Sequence, residues 1–376
     1  MKTRLRIGSW IQLGVIALSV GFAVSVRMGW LKIGFMTPSA VQTPADYLER
    51  SAESHRPFSR FYQPQRENRI PAFEENSILK LHLATSETGQ GRIEYDWLNS
   101  THYKVSVQVT ESDWVTRSTC DWKSQQIRFT EPTQKNPLWI AAQSDSFQLV
   151  SACKKNPDRQ EQEKLLEQHL QYRILETAGF AVPLARLVWI TSKNQPNYAM
   201  ILEPAEDLAF RYGWKPVPKA EVASDQDRID TLISKNRFDP RAFSQIRVAN
   251  LFLANPDYSL YGYRTYVMGS GRDLDYIEAW VPYGFENTGL TSGRSEIFNF
   301  LEEESFKRSL PALWDDPEVS GYDSDSLAVA ASLIAKAEPQ IRKLIDAHPA
   351  RHHEKFHYHL DQWMSAYRAL PASLKR

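Results

Sequence analysis

The chain has 376 residues, enough for one two-lobed domain or two smaller ones, and its 45 Lys and Arg exactly offset 45 Asp and Glu. With no net charge and no RNA-binding or helix-turn-helix signature, nucleic acid is excluded as a partner. A hydrophobic content of 42% with 12% aromatics supports a packed core and excludes global disorder.

Residues 7–26 carry no charge, and Gln12 is the most polar among them. As a helix, at about 1.5 Å per residue, this run would be roughly as long as a bilayer core is thick. Lys2, Arg4 and Arg6 precede it, while Arg27 and Lys32 follow. This bias predicts a single-pass anchor within residues 1–32, its amino terminus cytoplasmic and the remainder periplasmic or extracellular. The competing reading is a cleaved signal peptide, with Ala23-Val24-Ser25 as its processing site. Residues 33–76 follow with Pro38, Pro44, Pro57, Pro64 and Pro71 among polar residues, the composition of a stalk.

From residue 77 to 203 the pattern is strand-rich. Alternation at 78–83, 103–109 and 126–129 predicts strands with one buried face, and 147–150 a further strand. Gly89-x-Gly91 signals a hairpin turn. Helical spacing runs over 161–178, where Gly179 is the stop signal, and two more strands are expected at 184–191 and 198–203.

Residues 204–376 read as mainly helical. Helices are expected at 225–234, 240–253, 295–310, 325–346 and 352–370, punctuated by Pro311, Pro317, Pro339 and Pro349. Between the second and third lie two loops joined by a hairpin. The first is Ala254-Asn255-Pro256-Asp257-Tyr258-Ser259. Strands at 261–268 and 276–281, with a turn at Gly269-Ser270-Gly271, lead to the second, Pro282-Tyr283-Gly284-Phe285-Glu286-Asn287. His348, His352, His353, His357 and His359 cluster late in the chain. They have no HExxH arrangement or nearby Cys and read as a solvated helix surface. Ser144, Ser146 and Ser151 lack the context of a hydrolase nucleophile.

These two loops resemble those of bacterial kinase-like proteins related to the spore-coat CotH kinases. Asn255, Asp257 and Ser259 match in the first, and Pro282, Tyr283 and Phe285 in the second. The Leu149, Val150 and Cys153 strand end matches too, as do Glu167 with Tyr172-Arg173 and the segment from Ile201-Leu202-Glu203 to Gly213. The resemblance implies an α+β architecture in which a membrane helix precedes a bilobal protein-kinase-like domain. In such a domain Lys154 or Lys155 would hold phosphates and Glu167 would orient that lysine from its helix. Glu203 would lie at the nucleotide hinge and Asp257 would be the base. The bland alternatives are a solvated Lys154-Lys155 pair, a surface Glu167, and Asp257 as a turn residue after Pro256.

The departures fall on the metal site. Gly284 and Glu286 occupy the acidic positions of the second loop, and Tyr263-Arg264 stands where relatives carry His-Asn. Glycine cannot ligate magnesium, so Glu286 is the remaining, weak metal candidate, and Arg264 could replace the ion as a fixed positive charge. Cys120 and Cys153 are the only cysteines. Relatives carry cysteines at both places, which implies a disulfide in an exported domain; two buried free thiols are the alternative. The expectation is a membrane-anchored pseudokinase, an envelope module that binds or scaffolds a protein partner. ATP and Mg2+ enter only if activity is retained. Its rivals are an atypical phosphotransferase using Asp257 and Glu286, and a structural envelope protein with no cleft ligand.

Overall fold

The computed structural model describes residues 78–85, 89–97, 101–111, 124–130, 145–152, 154, 157–192, 195–204, 207–208, 211–212, 215–216, 240–254, 266–270, 277–281, 290, 303–315 and 324–375. The expected anchor at 7–26, the stalk at 33–76 and the helix at 225–234 lie outside these residues. So do Cys120, Cys153, Lys155, Asp257, Arg264 and Glu286. No helix among the described residues is long and apolar enough to cross a membrane.

The strand-rich part closes into a seven-stranded barrel in the order β1-β2-β3-β4-β5-β7-β6. Its strands are β1 (Leu79–Thr85), β2 (Gln90–Trp97), β3 (Thr101–Glu111), β4 (Gln125–Phe129), β5 (Ser146–Ser151), β6 (Ala185–Ser192) and β7 (Gln195–Leu202). Alternation decides what points inward: Leu79, Leu81 and Leu83 of β1 are buried while Lys80 and His82 face out. Ile93, Val105, Val107, Ile127, Phe147, Leu149, Val188, Ile190, Ala199 and Ile201 complete this interior.

Two features go beyond the sequence-based reading. Strand β2 was expected only as a turn signal, yet it carries its own alternation, with Ile93 and Tyr95 inward. Its Gly91 is needed for close approach, since a Cβ there would meet the Ala84 carbonyl oxygen at 2.8 Å. The closing pair, β1 with β6, is parallel, setting Leu81 beside Ile190.

Helix α1 (Arg159–Ala178) leaves the barrel after β5. Asp158 caps its start by accepting from the Glu161 amide at 2.9 Å. Gly179, at φ 89°, ends it, with its amide bonded to the Glu176 carbonyl at 2.9 Å and that of Phe180 to the Leu175 carbonyl at 3.0 Å. The opposite faces of β5 and β7 serve different cores. Phe147, Leu149, Ala199 and Ile201 fill the barrel, whereas Val150, Met200 and Leu202 join the core containing α1.

That second core is completed by α2 (Pro240–Phe252), α3 (Glu303–Asp315), α4 (Ser324–Lys336), α5 (Glu338–Ala347) and α6 (His353–Ala369). Its centre is Trp363, set edge-on to Phe252 and Phe306 with ring centroids 5.3 and 5.8 Å away. Three short strands, β8 (Lys215–Pro216), β9 (Tyr266–Ser270) and β10 (Ile277–Val281), form an antiparallel sheet in the order β10-β9-β8. The expected hairpin is present as β9 and β10, but Gly269 and Ser270, expected in its turn, are strand residues paired with Glu278 and Ile277. Pro311, expected to end a helix, lies inside α3, which Leu310 and Leu313 hold in the core on both sides of it. Conversely, the helix expected at 325–346 breaks at Ala337 (φ −89°, ψ 0°), the N-cap of α5, which has Pro339 in its first turn.

Candidate functional site

The polar groups worth following lie along α1, between the barrel and the carboxy-terminal helices. Glu163 and Glu167 are one helical turn apart on α1 and are 6% and 0% exposed. Two carboxylates so placed repel each other and lose hydration, so partners must be supplied by packing. The Glu163 Oε1 accepts from the Arg351 amide at 2.5 Å. Glu167 faces the Lys355 ammonium of α6, with Nζ 3.6 Å from Oε1. Burial pushes the Lys355 ammonium below its ordinary pKa and Glu167 works against that shift; the ammonium also donates to the Leu290 carbonyl. Burial likewise raises the Glu163 carboxyl, against the opposing influence of His352, Arg159 and His353.

Two residues further along α1, His169 meets His348, which caps the end of α5, with Nδ1 and Nε2 2.8 Å apart. The geometry sets the tautomers. The Ala350 amide donates to His348 Nδ1 at 3.1 Å, so His348 carries its proton on Nε2 and donates it to His169 Nδ1. Burial holds both rings well below the ordinary histidine pKa, His348 at about 3. The late histidines are therefore not a uniformly solvated surface. His348 and His359 are buried, His353 bonds the His348 carbonyl at 2.8 Å, His357 pairs with Asp346 at 2.7 Å, and only His352 is exposed. The apolar face of α6, with Phe356, Leu360 and Trp363, draws His359 inside.

At the end of β7, Glu203 is 0% exposed and takes both prongs of Arg211, from Nε to Oε1 and Nη2 to Oε2, each at 2.8 Å. The Leu184 amide adds a bond to Oε2 at 2.9 Å, and Arg211 Nη2 reaches the Val182 carbonyl at 2.8 Å. Burial works against the Arg211 charge, but Glu203 outweighs it and the guanidinium sits above its ordinary value. Burial raises the nearby Glu176 carboxyl, against Arg173.

Among the expected site residues, Glu167 and Glu203 are thus each engaged by a cation from the later part of the chain. Lys154, 53% exposed in its side chain, is paired instead with Asp158 at 3.3 Å and Glu161 at 3.9 Å, at the start of α1. Lys155, Asp257 and Glu286 lie outside the described residues. The approach to the Asp257 loop is nevertheless defined. Two residues past the end of α2, Ala254 sits at φ 49° with its amide bonded to the Leu251 carbonyl at 3.0 Å, and His359 Nε2 bonds the Phe252 carbonyl. Burial lowers the His359 pKa to about 4.

Lys355, Arg211, Glu163 and the His169–His348 pair escaped the sequence-based reading. The one local signal was that Glu163 and Glu167 recur one turn apart on α1. Those carboxylates and His352 place one ligand atom each within 4.8 Å of one another, the candidate metal cluster among the described residues.

No family model and no curated protein matches the chain. Among solved structures it is similar to a proinflammatory kinase of Helicobacter pylori, CtkA, at 12% identity and a TM-score of 0.40, over 69% of this chain and 94% of that one. At that score neither fold nor chemistry is carried over from it.

Proposed function

We propose that this chain is a membrane-anchored, CotH-like kinase-fold protein that no longer transfers phosphate and serves as a binding or scaffold module of the envelope. The observation that supports the reading is the buried contact of Glu167 with Lys355. In a phosphoryl-transferring kinase the helix carboxylate must be free to move with its helix and fix the phosphate lysine. Here that helix is tied to the last helix through Glu167, and to the segment between α5 and α6 through Glu163 and His169. The second loop adds to the case, because Gly284 offers no side chain to magnesium.

Thermal-shift measurement on the purified protein with ATP, with and without Mg2+ or Mn2+, tests the reading beside a phosphoryl-transfer assay. The expected result is a shift that needs no metal, survives Asp257→Ala and accompanies no transfer. A metal-dependent shift with transfer, both lost in Asp257→Ala, would establish the phosphotransferase instead. No shift under any condition would favour a structural envelope protein. Protease accessibility of residues beyond 33 in intact cells tests the anchor and its orientation, with the main domain expected outside.

A further inference from the structure

We propose that Glu163, Glu167 and His352 form a transition-metal site, fitted best to Zn2+, that clamps α1 to the start of α6. This goes beyond the kinase-like reading and does not depend on it. One ligand atom from each residue lies within 4.8 Å of the others, close enough for a small rotamer adjustment to place all three around one ion.

Charge and burial point the same way. Glu163 and Glu167 withdraw two carboxylates from water on one face of α1. The buried Lys355 ammonium faces Glu167, and His352, Arg159 and His353 act on Glu163. A divalent ion held by both carboxylates would add to that compensation.

The donors select the class of ion. An imidazole beside two carboxylates suits Zn2+, Co2+ or Mn2+ better than Mg2+ or Ca2+, which prefer oxygen alone. Three protein ligands leave a fourth tetrahedral position for water. The Arg351 amide already holds Glu163 through Oε1, and such a hydrogen bond helps to orient a metal ligand. His352 is exposed, which supplies the route by which an ion would enter. Lys355 would share Glu167 with the ion while it donates to the Leu290 carbonyl.

The test is calorimetric titration of chelator-stripped protein with Zn2+, with Mg2+ as the hard-ion comparison. Expected are one tightly bound equivalent of Zn2+, a raised melting temperature, and no such response to Mg2+. His352→Ala should lower the affinity at least tenfold and remove the thermal shift. His352 is on the surface, so this variant should keep the parent's circular dichroism; Glu163→Gln provides a second, independent loss. Co2+ loading should give a tetrahedral visible spectrum in the parent that is absent from His352→Ala. Failure of the parent to bind an equivalent of Zn2+, or unchanged affinity in both variants, would overturn the assignment. Neither result bears on nucleotide binding, so the two proposals fail separately.

Discussion

Glu167 of α1 and Lys355 of α6 face each other 3.6 Å apart in the interior, with side chains 0% and 12% exposed. A buried pair of this kind contributes little net stability relative to apolar residues, but breaking it from one side leaves a charge without its counterion. Lys355→Met should therefore destabilise the protein by about 3 kcal/mol. Glu167→Gln combined with Lys355→Met should recover more than half of that loss. Denaturant unfolding of both single variants and the double variant closes the cycle, and additive effects would show that the two residues are not coupled.

Acid sensitivity should follow from the buried histidines. His169, His348 and His359 have folded pKa values depressed by burial, His348 to about 3 and His359 to about 4. Their unfolded forms take up protons near pH 6.5 while the folded forms do not, so the unfolded state binds more protons below that pH. Stability is thus fully present above about pH 6.5 and falls as the pH drops, by up to about 1.4 kcal/mol per unit for each ring. Glu163 and Glu176 act with the opposite sign, because their raised folded values bind protons before the unfolded chain does. Urea unfolding at pH 7.5, 6 and 5 should show the net decline, and His348→Gln should make it shallower.

The fork between Arg211 and Glu203 predicts that a lysine cannot replace the arginine. Lysine keeps the charge but loses the paired bonds at 2.8 Å and the link to the Val182 carbonyl. Arg211→Lys should cost about 2 kcal/mol, and Arg211→Met more, about 3 to 5 kcal/mol, because Glu203 is then left buried with its charge uncompensated. Melting temperatures in the order parent, Arg211→Lys, Arg211→Met would bear this out.

Two backbone positions should respond with opposite signs. Gly179 ends α1 at φ 89°, and a Cβ there would meet nothing within 4 Å, so Gly179→Ala should cost about 1 kcal/mol from torsion alone. Ala254 already occupies the left-handed region at φ 49°, just before the Asp257 loop. Relieving it with Ala254→Gly should raise stability by about 0.5 kcal/mol, the strain released exceeding the added chain entropy. Equilibrium unfolding of the two variants separates these effects from packing.

Much of the local structure was legible. The period-two spacing of Leu79, Leu81 and Leu83 named the inner face of β1, and Gly179 marked the end of α1. The β9–β10 hairpin and the helices α2, α3 and α6 were also readable as elements. Strand β2 was missed because its charged residues alternate with only two large inward side chains, Ile93 and Tyr95. Pro311 misled because its cost is local, whereas the packing of Leu310 and Leu313 that outweighs it is not. Of the site, Glu167 and Glu203 were singled out by resemblance, but Lys355 and Arg211 were not.

The amino-acid sequence by itself determined which residues alternate, where α1 stops, and that the chain carries strands first and helices later. Those properties depend on neighbours a few positions away. Only the tertiary structure decided that β1 closes onto β6, that His169 meets His348, and that Glu163 and Glu167 lie beside His352 and Lys355. Periodicity specifies which face of an element is buried, not what covers it. The partner of a buried charge is chosen by the packing of distant segments, where leaving that charge without compensation would cost more than bringing the segments together.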